Sequence, residues 1–186
     1  MAENVQGTGK KVGYIGIGGP DWESTLTPSD DGPVSYEDFA TVAEEFVYML
    51  KKIYKCDLII VLAHMVNADD RILANKVPGI DVILGGHDHV YETGMDRETG
   101  VLMAKSGTDF EEFSDIQLIF DVETQEEASA IEKSRTEQDS KIYDNVKYYF
   151  SHQKKILMVV GQVKITDRFK PDPEITAHVQ KYSQTI

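Results

Sequence analysis

The sequence predicts an α/β domain of mixed sheets flanked by helices, and three patterns predict it. Residues 58–63 (LIIVLA) are an unbroken apolar run with the length and branching of a strand buried on both faces, and 80–84 (IDVIL) read as a second buried strand. Between them, 68–77 reads as a helix that Pro78 and Gly79 end, so strand, helix and strand form one parallel unit. Upstream, Phe39, Val42, Ala43, Phe46, Val47, Leu50 and Ile53 recur at spacings of three and four, which predicts an amphipathic helix over 35–54.

The remaining elements follow in order. Residues 11–17 (KVGYIGI) read as a buried strand that Gly18, Gly19 and Pro20 end in a loop. Those glycines are not read as a phosphate loop, because no lysine with a following serine or threonine completes one and no helical pattern opens there. Ser35 with Asp38 predicts a capping box at the start of the amphipathic helix. Beyond Gly94, residues 101–104 and 114–122 (SDIQLIFDV) read as strands of a hairpin or meander. The stretch 124–153 is rich in Glu, Lys, Gln and Ser with spaced Ile and Tyr, and reads as a mostly solvated helix or helix pair. Residues 156–165 (ILMVVGQVKI) are strand again, and Asp172-Pro173-Glu174 opens a short helix running to the end of the chain.

The 186 residues suffice for one domain with its own core. With 41% hydrophobic and 27% charged residues the composition is that of a globular chain, which argues against wholesale disorder. A formal net charge of −13 repels phosphate backbones and anionic lipid, so nucleic acid is not an expected partner. The single Cys56 cannot form an internal disulfide; it is expected to be buried and fits a cytoplasmic or other intracellular, reducing setting. The first residues, MAENVQGTGKK, lack an apolar signal region, and no run approaches the roughly 20 apolar residues of a membrane span.

Three of the five histidines, His64, His87 and His89, fall at the ends of the two central strands, where parallel α/β sheets gather their functional groups. Histidine is the commonest metal-ligating side chain. If 87–89 is extended, His87 and His89 project to one side with Cα atoms about 6–7 Å apart. Their imidazoles would then serve two ions about 3.5–4 Å apart, the spacing of two-metal phosphatases. Gly85 and Gly86, lacking a Cβ, would let ions and phosphate come close. A lone histidine after a strand is more often packing than ligand, but GGHDH with a matching His64 reverses that expectation. His152 and His178 lie in polar surroundings and read as surface residues.

The segments DLIIVLAHM, DDRILANKVPGIDVILGGHDHVYE and AKSGTDF, in that order, closely resemble the 5'-nucleotidase and UDP-sugar hydrolase family of calcineurin-like metallophosphoesterases. KKVGYIGIGGPDWESTL and TDRFKPDPEITAHVQKY are similar to it more weakly. The resemblance implies the C-terminal half of a metallophosphoesterase α/β sandwich over 1–165. Residues 166–186 would then be a linker helix segment toward a C-terminal domain that is absent beyond Ile186.

It further implies that His64 and His87 bind one divalent metal ion and His89 the other, zinc or manganese, with Asp88 not a ligand. Such ions hold a phosphate ester and activate water for in-line attack, with nucleotides and nucleotide sugars as substrates. The family's first half supplies an Asp-x-His pair, a Gly-Asp segment with the bridging aspartate, and a Gly-Asn-His segment with the catalytic histidine. None of these strings occurs in this sequence, so no catalytic residue is assigned. Three neutral imidazoles without a bridging carboxylate do not hold two divalent ions together.

The expectation is therefore a half-domain active only when another chain or segment completes it. An inactive homologue serving as a structural or interaction subunit is the alternative. A third reading is a free-standing protein holding one ion between His64, His87 and His89. Half of such a domain leaves a sheet edge and an apolar surface uncovered, so a second polypeptide is an expected partner.

Overall fold

The apolar run at 58–63 lies at the centre of the larger of two sheets. The structure, a computed structural model, describes residues 1–5, 8–22 and 35–177. The larger sheet has six strands in the order β1 (Ala2–Asn4), β2 (Lys11–Gly18), β3 (Leu58–His64), β4 (Val82–Gly85), β6 (Leu102–Ser106) and β5 (Tyr91–Met95). The four inner strands β2, β3, β4 and β6 run parallel, and β1 and β5 are antiparallel edges.

Helices α1 (Phe39–Tyr48), extended by a π-helical turn over Met49–Ile53, and α2 (Asn67–Lys76) belong to the core on one face. Ile59, Val61 and Ile83 are completely buried there, together with Ala43 and Leu73 from the helices. The opposite face carries an antiparallel sheet of three strands, in the order β7 (Glu112–Phe120), β9 (Ile156–Lys164) and β8 (Asn145–Ser151). Leu58, Val82 and Leu102 of the large sheet meet Met158 and Val160 of β9 in this second core. The outer face of the small sheet is covered by α3 (Gln125–Ile142), through Ala128 and Ile131 against Leu157 and Val159. The expected architecture of mixed sheets flanked by helices is the one observed. Cys56 is buried, as its position implied. Among the described residues no helix is long and apolar enough to cross a membrane.

Several expectations change. Residues 101–104 and 114–122 do not form a hairpin or meander: β6 pairs with β4 and β5 in the large sheet, and β7 pairs with β9 in the small one. The first helix is capped by Asp38, whose carboxylate accepts the Thr41 N–H at 2.9 Å, so Ser35 lies upstream of the helix and forms no capping box. The stretch 124–153 is not helical throughout: α3 opens with a capping box between Thr124 and Glu127, ends at Ile142, and gives way to β8. In β8, Val146, Tyr148 and Phe150 pack toward α3 while Tyr149 packs toward the large sheet, a strand sandwiched on both sides. Edge strand β5, with Glu92, Thr93 and Gly94 at its middle, has no apolar run to announce it. Near the C-terminus residues 173–177 are helical; the rest of the expected helix, with His178, lies outside the described residues.

Candidate functional site

Parallel pairing brings one end of each inner strand into line. Gly18 of β2 is opposite His64 of β3, Ala63 is opposite Gly85 of β4, and Gly85 is opposite Lys105 of β6. His64 is the last residue of β3, not the first beyond it. The loop after β4 is tied to this end by the Gly86 N–H, which donates to Ala63 O at 2.9 Å. The His64 and His87 rings consequently meet edge to face, with centroids 5.4 Å apart and planes at 78°. On the other side of His64 lies the Trp22 ring at 5.0 Å, whose indole N–H donates to the His64 carbonyl at 3.3 Å. The carboxylate of Asp21 is 3.3 Å from His87 Nε2.

His89 does not follow the geometry expected for it. His87 and His89 have φ of 77° and 54°, so the segment is not extended and the argument that residues two apart share a side does not apply. His89 is exposed. Among the described residues no group of three or more His, Cys, Asp or Glu side chains is arranged to hold a metal ion. The described residues thus bring together two imidazoles and the Asp21 carboxylate, and by themselves they do not fit a metal centre. His152 sits exposed in the turn after β8, its ring 6.1 Å from Phe150.

A buried lysine at this end stands outside the histidine motif. Lys105 is 4% exposed, and its ammonium donates to Met65 O and Gly86 O, both at 2.7 Å, and to Asp88 Oδ2 at 2.6 Å. Asp70 Oδ2 lies 2.9 Å away. Asp88 also accepts the Asn67 N–H at 2.7 Å, which fixes the start of α2. The Lys105 hydrogen bond holds the Asp88 carboxyl below its ordinary range, whereas burial pushes that of Asp70 up despite the same lysine. The signal in the sequence was a lysine ending a buried strand, since a lysine is rarely buried without partners.

The two glycines before His87 have a packing reason. A Cβ on Gly85 would meet Lys105 Cε at 2.8 Å, and one on Gly86 would meet His64 Nδ1 at 3.3 Å. Gly85 leaves room for the lysine stem, and Gly86 leaves room for the imidazole.

Among the described residues, the sheet face that carries His64 is only half covered. Leu58, Ile60, Leu62 and His64 alternate onto one side of β3. Leu58 is 1% exposed beneath the small sheet, but Leu62 is 51% exposed. Its neighbour on β2 is Gly16, where an added Cβ would meet nothing within 4 Å. On the helix side, a cavity of about 430 Å³ opens between α2 and β5, with Asn67, Arg71, Glu92 and Arg97 around it and Lys105 in its lining.

No family profile matches the chain. The chain is 36% identical over 84 residues to Protein 5NUC of Lutzomyia longipalpis, a match covering 45% of this chain and 14% of that protein. It is 35% identical over 81 residues to the trifunctional nucleotide phosphoesterase protein YfkN of Bacillus subtilis (strain 168), covering 44% and 5% respectively. In fold it is similar to the 5'-nucleotidase precursor of Thermus thermophilus, with a TM-score of 0.63 and 20% identity. That superposition covers 96% of this chain and 32% of the other. The matches thus span a small part of each relative and about a third of the solved protein. The chain is therefore similar to 5'-nucleotidase-like proteins in sequence over less than half its length, and in fold it is a half-domain of the metallophosphoesterase kind.

Proposed function

We propose that this chain contributes the second half of a nucleotidase-type phosphoesterase site, which another chain or segment completes with carboxylates and a catalytic histidine. The contact between the His64 and His87 rings, beside a bare stretch of sheet face, carries this reading. His64 and His87 would serve one divalent ion and His89 a second, zinc or manganese, once the completing segment lies over Leu62 and Gly16. Because the described residues supply no complete ligand set, no catalytic step is assigned to them. The relatives' names support nucleotides or related phosphate esters as substrates. Residues 1–165 would form the partial domain and 166–186 a connection to whatever follows in the assembled protein. The lone buried Cys56 is compatible with an intracellular setting.

A second reading has its own support. The lack of a three-ligand group among the described residues favours an inactive homologue that keeps the fold as a structural or interaction subunit.

The test is metal content and phosphatase activity toward AMP and an aryl phosphate, made on the chain with whatever partner co-purifies. About two metal ions per complex, with turnover lost in both His64→Ala and His89→Ala, is the expected result. A stable complex with neither metal nor turnover would replace this reading with the structural one.

A further inference from the structure

We infer that Lys105 is a positioning residue: its buried ammonium acts as an internal cation that joins the His64 loop to the His87 loop and sets how the two imidazoles meet. The four oxygens around Nζ come from three segments. Met65 O is one residue past His64, Gly86 O is one residue before His87, Asp88 lies between His87 and His89, and Asp70 belongs to α2. An ammonium has three protons and no acceptor. The two carbonyls, Asp88 and Asp70 share those three protons.

All four oxygens lie within 2.9 Å of one nitrogen, so without the cation two carboxylates and two carbonyl dipoles would face each other in a buried space. The loops would then move apart, and with them His64 and His87. A neutral chain of the same length fills the volume but supplies no protons. An arginine would bring a larger, planar group into a channel already so tight that Gly85 can carry no Cβ without a clash. The inference concerns loop geometry and holds whether or not the loops serve phosphate ester chemistry.

The experiment follows the imidazole ¹⁵N and ¹H resonances of His64 and His87 in Lys105→Met, with His152 on its distant turn as the internal control. Both site histidines are expected to shift while His152 stays. In Lys105→Ala, added propylammonium should restore the wild-type positions, whereas tetramethylammonium, which has no N–H, should not. A folded Lys105→Met whose His64 and His87 resonances match wild type overturns the inference, as does rescue by both amines alike.

Should the single variants not fold, the wild-type chain carries the test. Its Lys105 ammonium should give a slowly exchanging ¹⁵N resonance with hydrogen-bond couplings to the carbonyl carbons of Met65 and Gly86. Exchange as fast as that of a surface lysine would overturn it. No metal or turnover enters these readouts, so failure of the proposed phosphoesterase activity leaves them unaffected.

Discussion

Leu58 and Leu62 sit on the same face of the same strand, on either side of Ile60, and their surroundings are opposite. Leu58 is 1% exposed under β9, and Leu62 is 51% exposed beside His64. On the other face of β3, Ile59 and Val61 are wholly buried. A central strand of a parallel sheet is normally covered on both sides. The half that is covered here holds the fold, and the half that is bare carries the histidines. Stability and the proposed function therefore occupy different halves of one sheet face.

The largest effect should come from the covered half. Leu58→Ala is expected to cost roughly 2–5 kcal/mol in urea denaturation, because the cavity would open between two sheets that cannot both collapse onto it. An unchanged midpoint would mean that the small sheet does not seal this face.

At the boundary between the halves, Gly85→Ala should cost about 1–3 kcal/mol by overpacking. Its new methyl would run into the stem of Lys105, whose far end is anchored by hydrogen bonds and cannot swing away. Gly16→Ala, into open space on the bare half, should fall within about 0.5 kcal/mol of wild type. Equal costs for the two would erase the contrast.

The small sheet brings a pH dependence of its own. The Tyr143 hydroxyl donates to Asp115 at 2.5 Å and accepts from Gln117 at 2.9 Å. Burial first, then the adjacent Asp115, pushes its pKa from 10.0 up to about 12. A group whose pKa is raised on folding stabilises fully below its unfolded value. That stability drains as pH rises, since the unfolded tyrosine ionises first. Stability should thus fall between pH 10 and about 12, and Tyr143→Phe should flatten that fall in pH-dependent denaturation. A variant with the same alkaline slope as wild type would exclude Tyr143 as its source.

The same division governs what could be read beforehand. The run at 58–63 was legible because it is apolar without interruption, and that at 80–84 because only Asp81 breaks it. β8 was not, since NVKYYFS follows a polar helix and its aromatic residues divide between two faces. The positions of His64 and His87 were legible from strand ends. The left-handed backbone at His87 and His89 was not, because non-glycine residues rarely adopt it and no residue type announces it. The glycines pointed to a close approach, but the groups that approach are Lys105 and His64 themselves. Lys105 is one charge at the end of a five-residue strand, and its partners lie 17 to 40 residues away, where no periodicity reaches.

The smallest expected effect separates the two halves most sharply. Leu62→Ser removes an apolar side chain that is already half in water, so in the isolated chain its cost should stay below about 1 kcal/mol, a fraction of that for Leu58→Ala. If a completing segment covers this face, the same change should weaken the assembly, because Leu62 would then lie in an interface core where a lost apolar anchor costs more than about 1 kcal/mol. Denaturation of the chain alone and the dissociation constant of the complex, measured on the one variant, give the comparison. A small stability cost with weakened association identifies the bare half as a docking face. No change in either places the partner elsewhere, and a large cost in the isolated chain shows that Leu62 is already covered.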